Sequence, residues 1–193
     1  MPFEQFDRSR LQILPIGERA HDLDITKILN EPDGPRVPFE HAALPKLAER
    51  IVRAAHDERA ILFCCGAHVL RLGNAPLLID LMERGLLNHL ALNGAGAIHD
   101  FELAMIGHTC ESVARYVSNG QFGLWQESSR LNDAVNAGFR DGIGLGEAVG
   151  RMIEEEQFPH RRTSVLAAAY RLGIPATVHV SIGQDIVHGH PNF

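Results

Sequence analysis

An imidazole and two carboxylates stand close together in the run His99, Asp100, Phe101, Glu102, which the sequence predicts to lie where a helix begins. The positive end of a helix dipole stabilises nearby carboxylates and lowers the basicity of an imidazole. A neutral His99 can then accept or donate a proton, and Asp100 can act with it. Asp100 is equally suited to cap the helix, so both interpretations of this carboxylate stay open.

The glycine-rich segment before this run is suited to an anionic ligand. Residues 93–97 are Asn-Gly-Ala-Gly-Ala, between a predicted strand and the helix. Such a turn can bring backbone N–H groups close to a phosphate or a ribose. The full Gly-x-Gly-x-x-Gly pattern is absent, because Ile98 and His99 follow, and simple packing of the turn is the alternative.

A third polar segment, residues 183–190, carries Asp185, His188 and His190 just beyond a predicted strand. These side chains are typical of a polar substrate pocket or of a plain surface loop. A zinc site would need further ligands such as His179 or His68, and the sequence contains neither Cys-x-x-Cys nor His-Glu-x-x-His. We therefore predict substrate contacts at Asp185 and His188, and no metal.

Two further side chains can take part in chemistry. Arg71, three positions after His68, can hold a phosphate or a carboxylate through two hydrogen bonds, with solvation at the surface as the alternative. Cys110 follows His108 by two positions and suggests a thiol nucleophile. Free cysteines are more often small buried residues, which is the interpretation that we favour for Cys110.

Composition excludes several classes of function. The chain has 193 residues, 45% of them hydrophobic, and a formal net charge of −6, which disfavours binding to nucleic acid phosphates. No window reaches the roughly 18 apolar residues of a spanning helix, and the N-terminus lacks the apolar core of a signal peptide. Three cysteines imply no disulfide framework. We expect a cytoplasmic protein without membrane or nucleic-acid partners.

Strands and helices are predicted to alternate along the chain. Apolar runs predict strands at 60–65, 89–93 and 176–181, the first of them buried on both faces. Helical periodicity predicts one helix that begins near residue 45 and further helices over 77–84, 100–106, 110–117, 144–156 and 164–172. A short helix is predicted over 25–29, with Asp24 as its cap. The prediction is an α/β fold, a Rossmann-like doubly wound parallel sheet with helices on both faces.

The chain divides into an arm and a domain. Prolines and glycines are frequent near the N-terminus, so residues 1–44 are predicted to form an irregular arm and residues 45–193 the Rossmann-like domain. Ligands of such sheets bind beyond the carboxyl ends of the strands. Those ends are followed here by 66–73, 93–100 and 181–190, so the candidate segments should meet in one crevice.

The order and spacing of several motifs resemble the deoxyhypusine synthase family, in particular its bacterial members called deoxyhypusine synthase-like proteins. The resemblance covers roughly residues 60–190. It rests on Cys65-Gly66-Ala67-His68-Val69-Leu70-Arg71-Leu72-Gly73, on 76–85, on Asn93-Gly94-Ala95-Gly96-Ala97-Ile98-His99-Asp100, on 164–175 and on Gly183-Gln184-Asp185.

The resemblance implies an NAD-binding Rossmann-like fold and a homotetramer with sites between paired subunits. The family oxidises spermidine with NAD and passes an aminobutyl group through an imine on a lysine to an acceptor. By this resemblance His99 and Asp100 would be catalytic, and Asp185 and His188 would bind a polyamine. The NAD contacts would be Gly66, His68, Arg71, Asn93, Gly94, Ala95 and Gly96.

This chain departs from the family at several matched positions. Gly66 to Arg71 stand where the eukaryotic family has Thr-Ser-Asn-Leu-Ile-Ser, and His99 replaces an acid implicated in catalysis. The lysine that forms the imine would lie beyond Phe193, and the lysines present are Lys27 and Lys46. We expect either a shortened form of the enzyme or a protein with another role.

Three functions follow as hypotheses. The first is NAD-dependent transfer of an aminoalkyl group from a polyamine. The second is a catalytically inactive nucleotide-binding or regulatory module of the same fold. The third is a metal-dependent hydrolase built on His68, His99, Asp185, His188 and His190.

Association is the first testable prediction. A sheet with three recognisable strands leaves an unpaired edge and an apolar helix face, and such surfaces are usually covered. We expect the arm to lie across its own or a neighbouring subunit, with His68, His99 and Asp185 near an interface of a dimer or tetramer. Light scattering at micromolar concentration should give at least twice the mass of one chain, and a stable monomer would contradict the prediction.

Overall fold

The structure, a computed structural model, describes residues 3–35 and 38–193 and is mixed α/β. Among the described residues, five short 3-10 helices accompany the strands and α-helices. In chain order the strands and α-helices are β1 (Leu23–Asp24), α1 (Ile25–Ile28), α2 (Leu44–His56), β2 (Leu62–Cys65), α3 (Ala67–Arg71), α4 (Ala75–Glu83), β3 (His89–Asn93), α5 (Gly94–Ile106), β4 (His108–Thr109), α6 (Val113–Val117), α7 (Arg130–Asp141), α8 (Leu145–Glu155), α9 (Val165–Leu172) and β5 (Ala176–His179).

Three strands form a parallel sheet in the order β2-β3-β5. Leu92 of the central strand is in register with Cys65 on one side and with Val178 on the other. The carboxyl ends of all three strands therefore meet at one edge. The three predicted strands and the parallel α/β class are confirmed, although β2 and β5 are shorter than expected.

Helices pack against one face of this sheet in the part of the chain that the structure describes. Phe63, Leu90, Leu92 and Val178 point into the main hydrophobic core on that face. On the opposite face Leu62 is 55% exposed, and Cys64, Thr177 and His179 are also exposed. Helices on the second face, as in the predicted doubly wound Rossmann-like sheet, are therefore not confirmed among these residues, and β2 is an edge strand with one solvated face.

The strand order gives the physical reason for this difference. Nearly all crossovers between parallel strands are right-handed, so strands added in one direction place their connecting helices on the same face. Helices reach the second face when the strand order reverses, as in a doubly wound sheet. The order β2-β3-β5 runs in one direction, and the alternation of strands and helices in the sequence could not reveal that direction.

The core is centred on α9, a short alanine-rich helix. Residues 165–169 of this helix are at most 1% exposed, which means that other elements surround it. Small residues allow the close approach: a β-carbon on Gly150 of α8 would overlap the backbone carbonyl of Leu166, and one on Gly146 that of Ala176. The predicted helix at 164–172 is confirmed.

Helical segments differ from the prediction in the start of α5, in α7 and in α3, whose residues 67–71 were not predicted as a helix. The glycine-rich residues 94–97 form the first turn of α5, which was expected to begin near Asp100. Asn93 caps this turn by accepting a hydrogen bond from the Gly96 N–H at 2.8 Å. The second difference is α7, which sequence periodicity missed within a segment rich in asparagine and glycine. Asparagine and glycine have a weak intrinsic preference for helix, so the local sequence does not indicate α7. In the structure Gly138 of α7 packs closely against Ala148 of α8.

The N-terminal segment lies on its own domain. Leu23 and Asp24 pair with β4 in an antiparallel ladder. Asp24 caps α1 as predicted, through a 2.9 Å hydrogen bond from the Thr26 N–H. Ile16 is buried in a second small core with Tyr116 and Trp125, whose rings meet edge to face. Among the described helices, each is too short or too polar to cross a lipid bilayer.

Asp100 supports the fold from the interior of α5. Asp100 as a whole residue is 2% exposed. Its carboxylate accepts hydrogen bonds from the Ser164 hydroxyl at 2.6 Å and from the N–H groups of Val165 and Leu166 at 2.9 and 3.1 Å. These donors form the N-terminus of α9. Asp100 therefore caps a different helix from the one expected, 64 residues farther along the chain.

Asp100→Ala should lower the free energy of unfolding by about 3 kcal/mol, because buried donors at the start of α9 would lose their acceptor. Asp24→Ala removes the cap of the short, exposed α1 and should cost less than about 1 kcal/mol. Urea unfolding of both variants measures the difference. Equal losses would show that the buried cap contributes no more than the exposed one.

Candidate functional site

A cavity of about 280 Å³ lies beyond the carboxyl ends of the strands. The three segments expected to meet there each contribute to its wall. Its lining residues are Arg19, Arg71, Ala95, Ile98, His99, Glu102, Cys110, Glu111, Val113, Phe122, Gln184, Asp185 and Ile186. Of the predicted site residues, the cavity thus contains Arg71, Ala95, His99 and Asp185.

The early start of α5 decides which of its polar residues face the cavity. His99 and Glu102 are three positions apart and lie on the same side of a helix, whereas Asp100 is rotated by about 100° from His99. His99 and Glu102 both line the cavity, and Asp100 points instead to α9. Asp100, predicted as catalytic, is therefore outside the cavity.

A buried ion pair forms one wall of the cavity. The Arg19 guanidinium donates to both carboxylate oxygens of Glu102, at 2.7 and 2.8 Å. The two side chains are 1% and 2% exposed. The hydroxyls of Thr109 and Ser128 donate to the same carboxylate at 2.8 and 3.0 Å. Four donors therefore surround Glu102, which satisfies a buried charge that would otherwise be costly.

This ion pair selects the tautomer of His99. The Thr109 hydroxyl has one proton, and the Glu102 carboxylate paired with Arg19 can only accept it. Thr109 Oγ1 lies 2.7 Å from Nδ1 of His99, so Nδ1 must carry the hydrogen that this oxygen accepts. Nε2 is then the unprotonated nitrogen, and its lone pair is available to a ligand.

His99 is neutral at physiological pH. Burial is the main cause and lowers the pKa of this imidazole to about 4, since a charged ring would lose its hydration. The Glu102 carboxylate opposes this effect, and Arg71 and Arg19 reinforce it. The predicted neutral histidine therefore arises from burial and neighbouring arginines, and His99 lies in the second turn of α5 instead of before it.

Two charged groups of the cavity keep incompletely bonded atoms. Nε of Arg71 and Oδ2 of Asp185 are buried, and the residues that the structure describes provide no hydrogen bond to either atom. Nε2 of His188 lies 4.0 Å from Oδ2 of Asp185. Burial raises the pKa of Asp185, and His188 partly offsets the rise. An unsatisfied buried polar atom is costly, which makes both atoms candidates for ligand contact.

Gly94 allows Asp185 to reach the N-terminus of α5. A β-carbon at this position would overlap the Asp185 carboxylate. The next glycine, Gly96, already donates its N–H to Asn93. A pyrophosphate at this helix end would meet the negative charge of Asp185. These residues do not fit the pyrophosphate of NAD at this helix end.

The remaining predicted cofactor residues lie apart from the cavity lining. Gly66 precedes α3 and stands beside the side chain of Asn93, where β2 and β3 end. His68 is exposed on α3. Asn93, Gly94 and Gly96 serve the turn into α5 described above.

The histidines of the last segment have structural contacts. His188 accepts a hydrogen bond from the Gly183 N–H at 3.0 Å and stacks on Phe193, beside a mainly apolar cavity next to Asp185. His190 is 1% exposed and donates to the Gly123 carbonyl at 2.9 Å. Across residues 3–35 and 38–193, no group of three or more His, Cys, Asp and Glu side chains could hold a metal ion. The metal-hydrolase hypothesis therefore has no ligand set in this part of the chain.

Sequence reasoning missed two charged residues of the site. Arg19 comes from the segment predicted as an arm, 83 positions from its partner Glu102. Glu111 follows Cys110 and accepts hydrogen bonds from the Gly123 N–H at 3.0 Å and from the Trp125 indole at 2.8 Å. No local pattern distinguishes either residue from a surface charge. Cys110 also lines the cavity, and burial raises the pKa of its thiol, so a reactive thiolate is not favoured.

No protein-family model matches this chain, and no curated protein matches it.

The pKa of His99 should be measurable as a stability effect. An unfolded histidine titrates near pH 6.5, so below that pH the unfolded chain takes up a proton before the folded one does. The free energy of unfolding should fall between pH 6.5 and pH 4, by up to about 3 kcal/mol from this residue. NMR titration of the ring should give a pKa below 5 and a hydrogen on Nδ1.

His99→Asn should remove this part of the pH dependence in urea unfolding. His56→Asn, at an exposed position of α2, is measured beside it as the control for the loss of a histidine. A His99 pKa close to 6.5 would show that the ring is solvated and that the inferred neutral state is incorrect.

Proposed function

We propose that the chain is a deoxyhypusine synthase-like protein that binds the ammonium group of a polyamine, the aminoalkyl donor of that family, at Asp185 in this cavity. The buried Oδ2 atom of Asp185 carries the proposal, because the described residues leave it without a hydrogen bond donor. An ammonium supplies both the countercharge and the donors that this carboxylate needs. The formal net charge of −6 favours a cationic ligand.

The surroundings of Asp185 are consistent with an alkyl amine. Ile98, Phe122 and Ile186 provide apolar surface for methylene groups. His99 Nε2 provides a neutral acceptor for a second N–H of the amine. His99 therefore orients the nitrogen, while Asp185 balances its charge.

Proton transfer sets a limit on the role of His99. A primary ammonium resembles that of lysine, with a pKa near 10.4, whereas that of His99 is about 4. A gap of about 6 units corresponds to roughly 8 kcal/mol against transfer to this imidazole. We therefore propose that His99 accepts a hydrogen bond from the amine and does not deprotonate it.

The low pKa of His99 also favours a second candidate function. A module that binds an amine without reacting needs a fixed hydrogen bond acceptor and no strong base. This candidate corresponds to the inactive or regulatory protein among the hypotheses, with the amine as its ligand. Formation of a product from spermidine, measured by mass spectrometry, separates the enzyme from the module.

The proposed relationship extends to fold and assembly. Three parallel strands in sequential order, with helices on one face, correspond to one half of a Rossmann-like sheet. We propose this correspondence for β2, β3 and β5. The exposed outer face with Leu62 also fits the proposed homo-oligomer, in which a second copy would cover it.

Spermidine binding tests the proposed site. Asp185→Asn should weaken binding by at least about tenfold in isothermal titration calorimetry, because a charge-assisted hydrogen bond contributes about 1.5–3 kcal/mol. The unfolding free energy of the empty variant should stay equal or rise, since a buried charge is removed. Glu83→Gln, on the exposed end of α4, is the matched control and should bind normally. Equal binding by the two variants, or no binding by the unmodified protein, would refute the site.

A further inference from the structure

Two opposite charges face the same cavity from different elements. Arg71 is the last residue of α3, and Asp185 lies in the loop after β5. For Nε of Arg71 and Oδ2 of Asp185, both buried, no hydrogen bond partner exists among the described residues. The other charged side chains of the cavity are occupied, because Arg19 pairs with Glu102 and Glu111 accepts two hydrogen bonds. A ligand can therefore engage one positive and one negative group.

Arg71 and Asp185 do not neutralise each other. Within residues 3–35 and 38–193, no salt bridge joins them, and the basic group recorded beside Asp185 is Nε2 of His188, 4.0 Å from Oδ2. Burial is the main cause of the pKa shifts of His99, Cys110 and Asp185. The Arg71 charge contributes at His99 and Cys110, whereas His188 is the contributing charge at Asp185. Arg71 lines this cavity from α3, whereas Asp185 also lines the mainly apolar cavity beside His188.

Charge matching discriminates among small ligands. A diamine would satisfy Asp185 but place its second ammonium in the field of Arg71. A dicarboxylate would satisfy Arg71 but bring a negative charge to Asp185 and Glu111. A molecule with one carboxylate and one ammonium matches both groups, and a guanidinium can hold a carboxylate through two hydrogen bonds.

Size is consistent with such a molecule. The cavity of about 280 Å³ corresponds to roughly nine waters at about 30 Å³ each in the liquid. A short amino acid has about this number of non-hydrogen atoms. Because no ion pair joins Arg71 and Asp185 among the described residues, we place a carbon chain between the two charged ends of the ligand, where Ile98 and Phe122 can cover it.

We propose that this cavity, besides a polyamine, also binds and prefers an aminocarboxylate whose charged ends are separated by a short methylene chain, with the carboxylate at Arg71 and the ammonium at Asp185. The inference rests on the proposed amine site and replaces the second amine of a polyamine by a carboxylate. His99 Nε2 accepts a hydrogen from the same ammonium. Arg71 is then the residue that determines specificity.

Three ligands with the same four-carbon chain test the inference in isothermal titration calorimetry: putrescine, 4-aminobutanoate and succinate. 4-Aminobutanoate should bind at least about tenfold more tightly than either of the others, because it alone matches both charges. Arg71→Gln should weaken the binding of 4-aminobutanoate by at least about tenfold, and it should leave the affinity for putrescine unchanged or raise it. Arg59→Gln, an exposed arginine before β2, is the control and should change neither affinity.

The outcomes separate this inference from the proposed function. If putrescine or spermidine binds in an Asp185-dependent manner and 4-aminobutanoate binds no more tightly, the aminocarboxylate is refuted and the amine site stands. If no ligand with an amine binds, the amine site itself fails. Tightest binding of succinate would refute both charge assignments. Should Arg71→Gln unfold, Arg71→Lys keeps the positive charge but lacks the guanidinium group. It should still lose part of the preference for 4-aminobutanoate over putrescine.

Discussion

The buried ion pair between Arg19 and Glu102 is the interaction on which the rest of the site depends. It joins the N-terminal segment to the middle of α5, and through Thr109 and Ser128 it also holds β4 and the turn before α7. A carboxylate buried this deeply is tolerated because four donors surround it. Loss of the arginine would leave an uncompensated charge, which typically costs several kcal/mol. The segment that looked like a peripheral arm is therefore part of the site.

The ion pair also determines the chemistry available at the cavity surface. Because Glu102 can only accept, Thr109 must donate to it, and His99 must place its hydrogen on Nδ1. The imidazole thus faces a ligand as a neutral acceptor. Asp185 and Arg71 then provide the charges that a ligand can meet. This arrangement favours recognition of a polar molecule by groups whose positions are fixed. Thr109 and Glu102 hold His99 on the side away from the ligand.

The glycines of residues 93–97 show how one sequence pattern serves a different purpose from the one expected. The pattern predicts a close approach of some group to the backbone, and such an approach occurs at Gly94. The group is the carboxylate of Asp185 instead of a phosphate. Gly96 packs against Leu92 and gives its N–H to Asn93. A glycine-rich turn therefore indicates that space is needed, while the chemistry of the neighbour depends on another part of the chain.

The sequence by itself determined the features that depend on neighbours a few positions away. The three strands, the helix at 164–172 and the Asp24 cap follow from apolar periodicity and from side chains that bond two residues ahead. It also brought Arg71, His99 and Asp185 to one edge of the sheet, because parallel strands end together. The tertiary structure alone decided the direction in which strands were added, the partner of Asp100 and the approach of Arg19 to Glu102. The contacts of Asp100 and Arg19 join residues more than 60 positions apart, and a charge or a capping carboxylate is compatible with many partners until the chain packs.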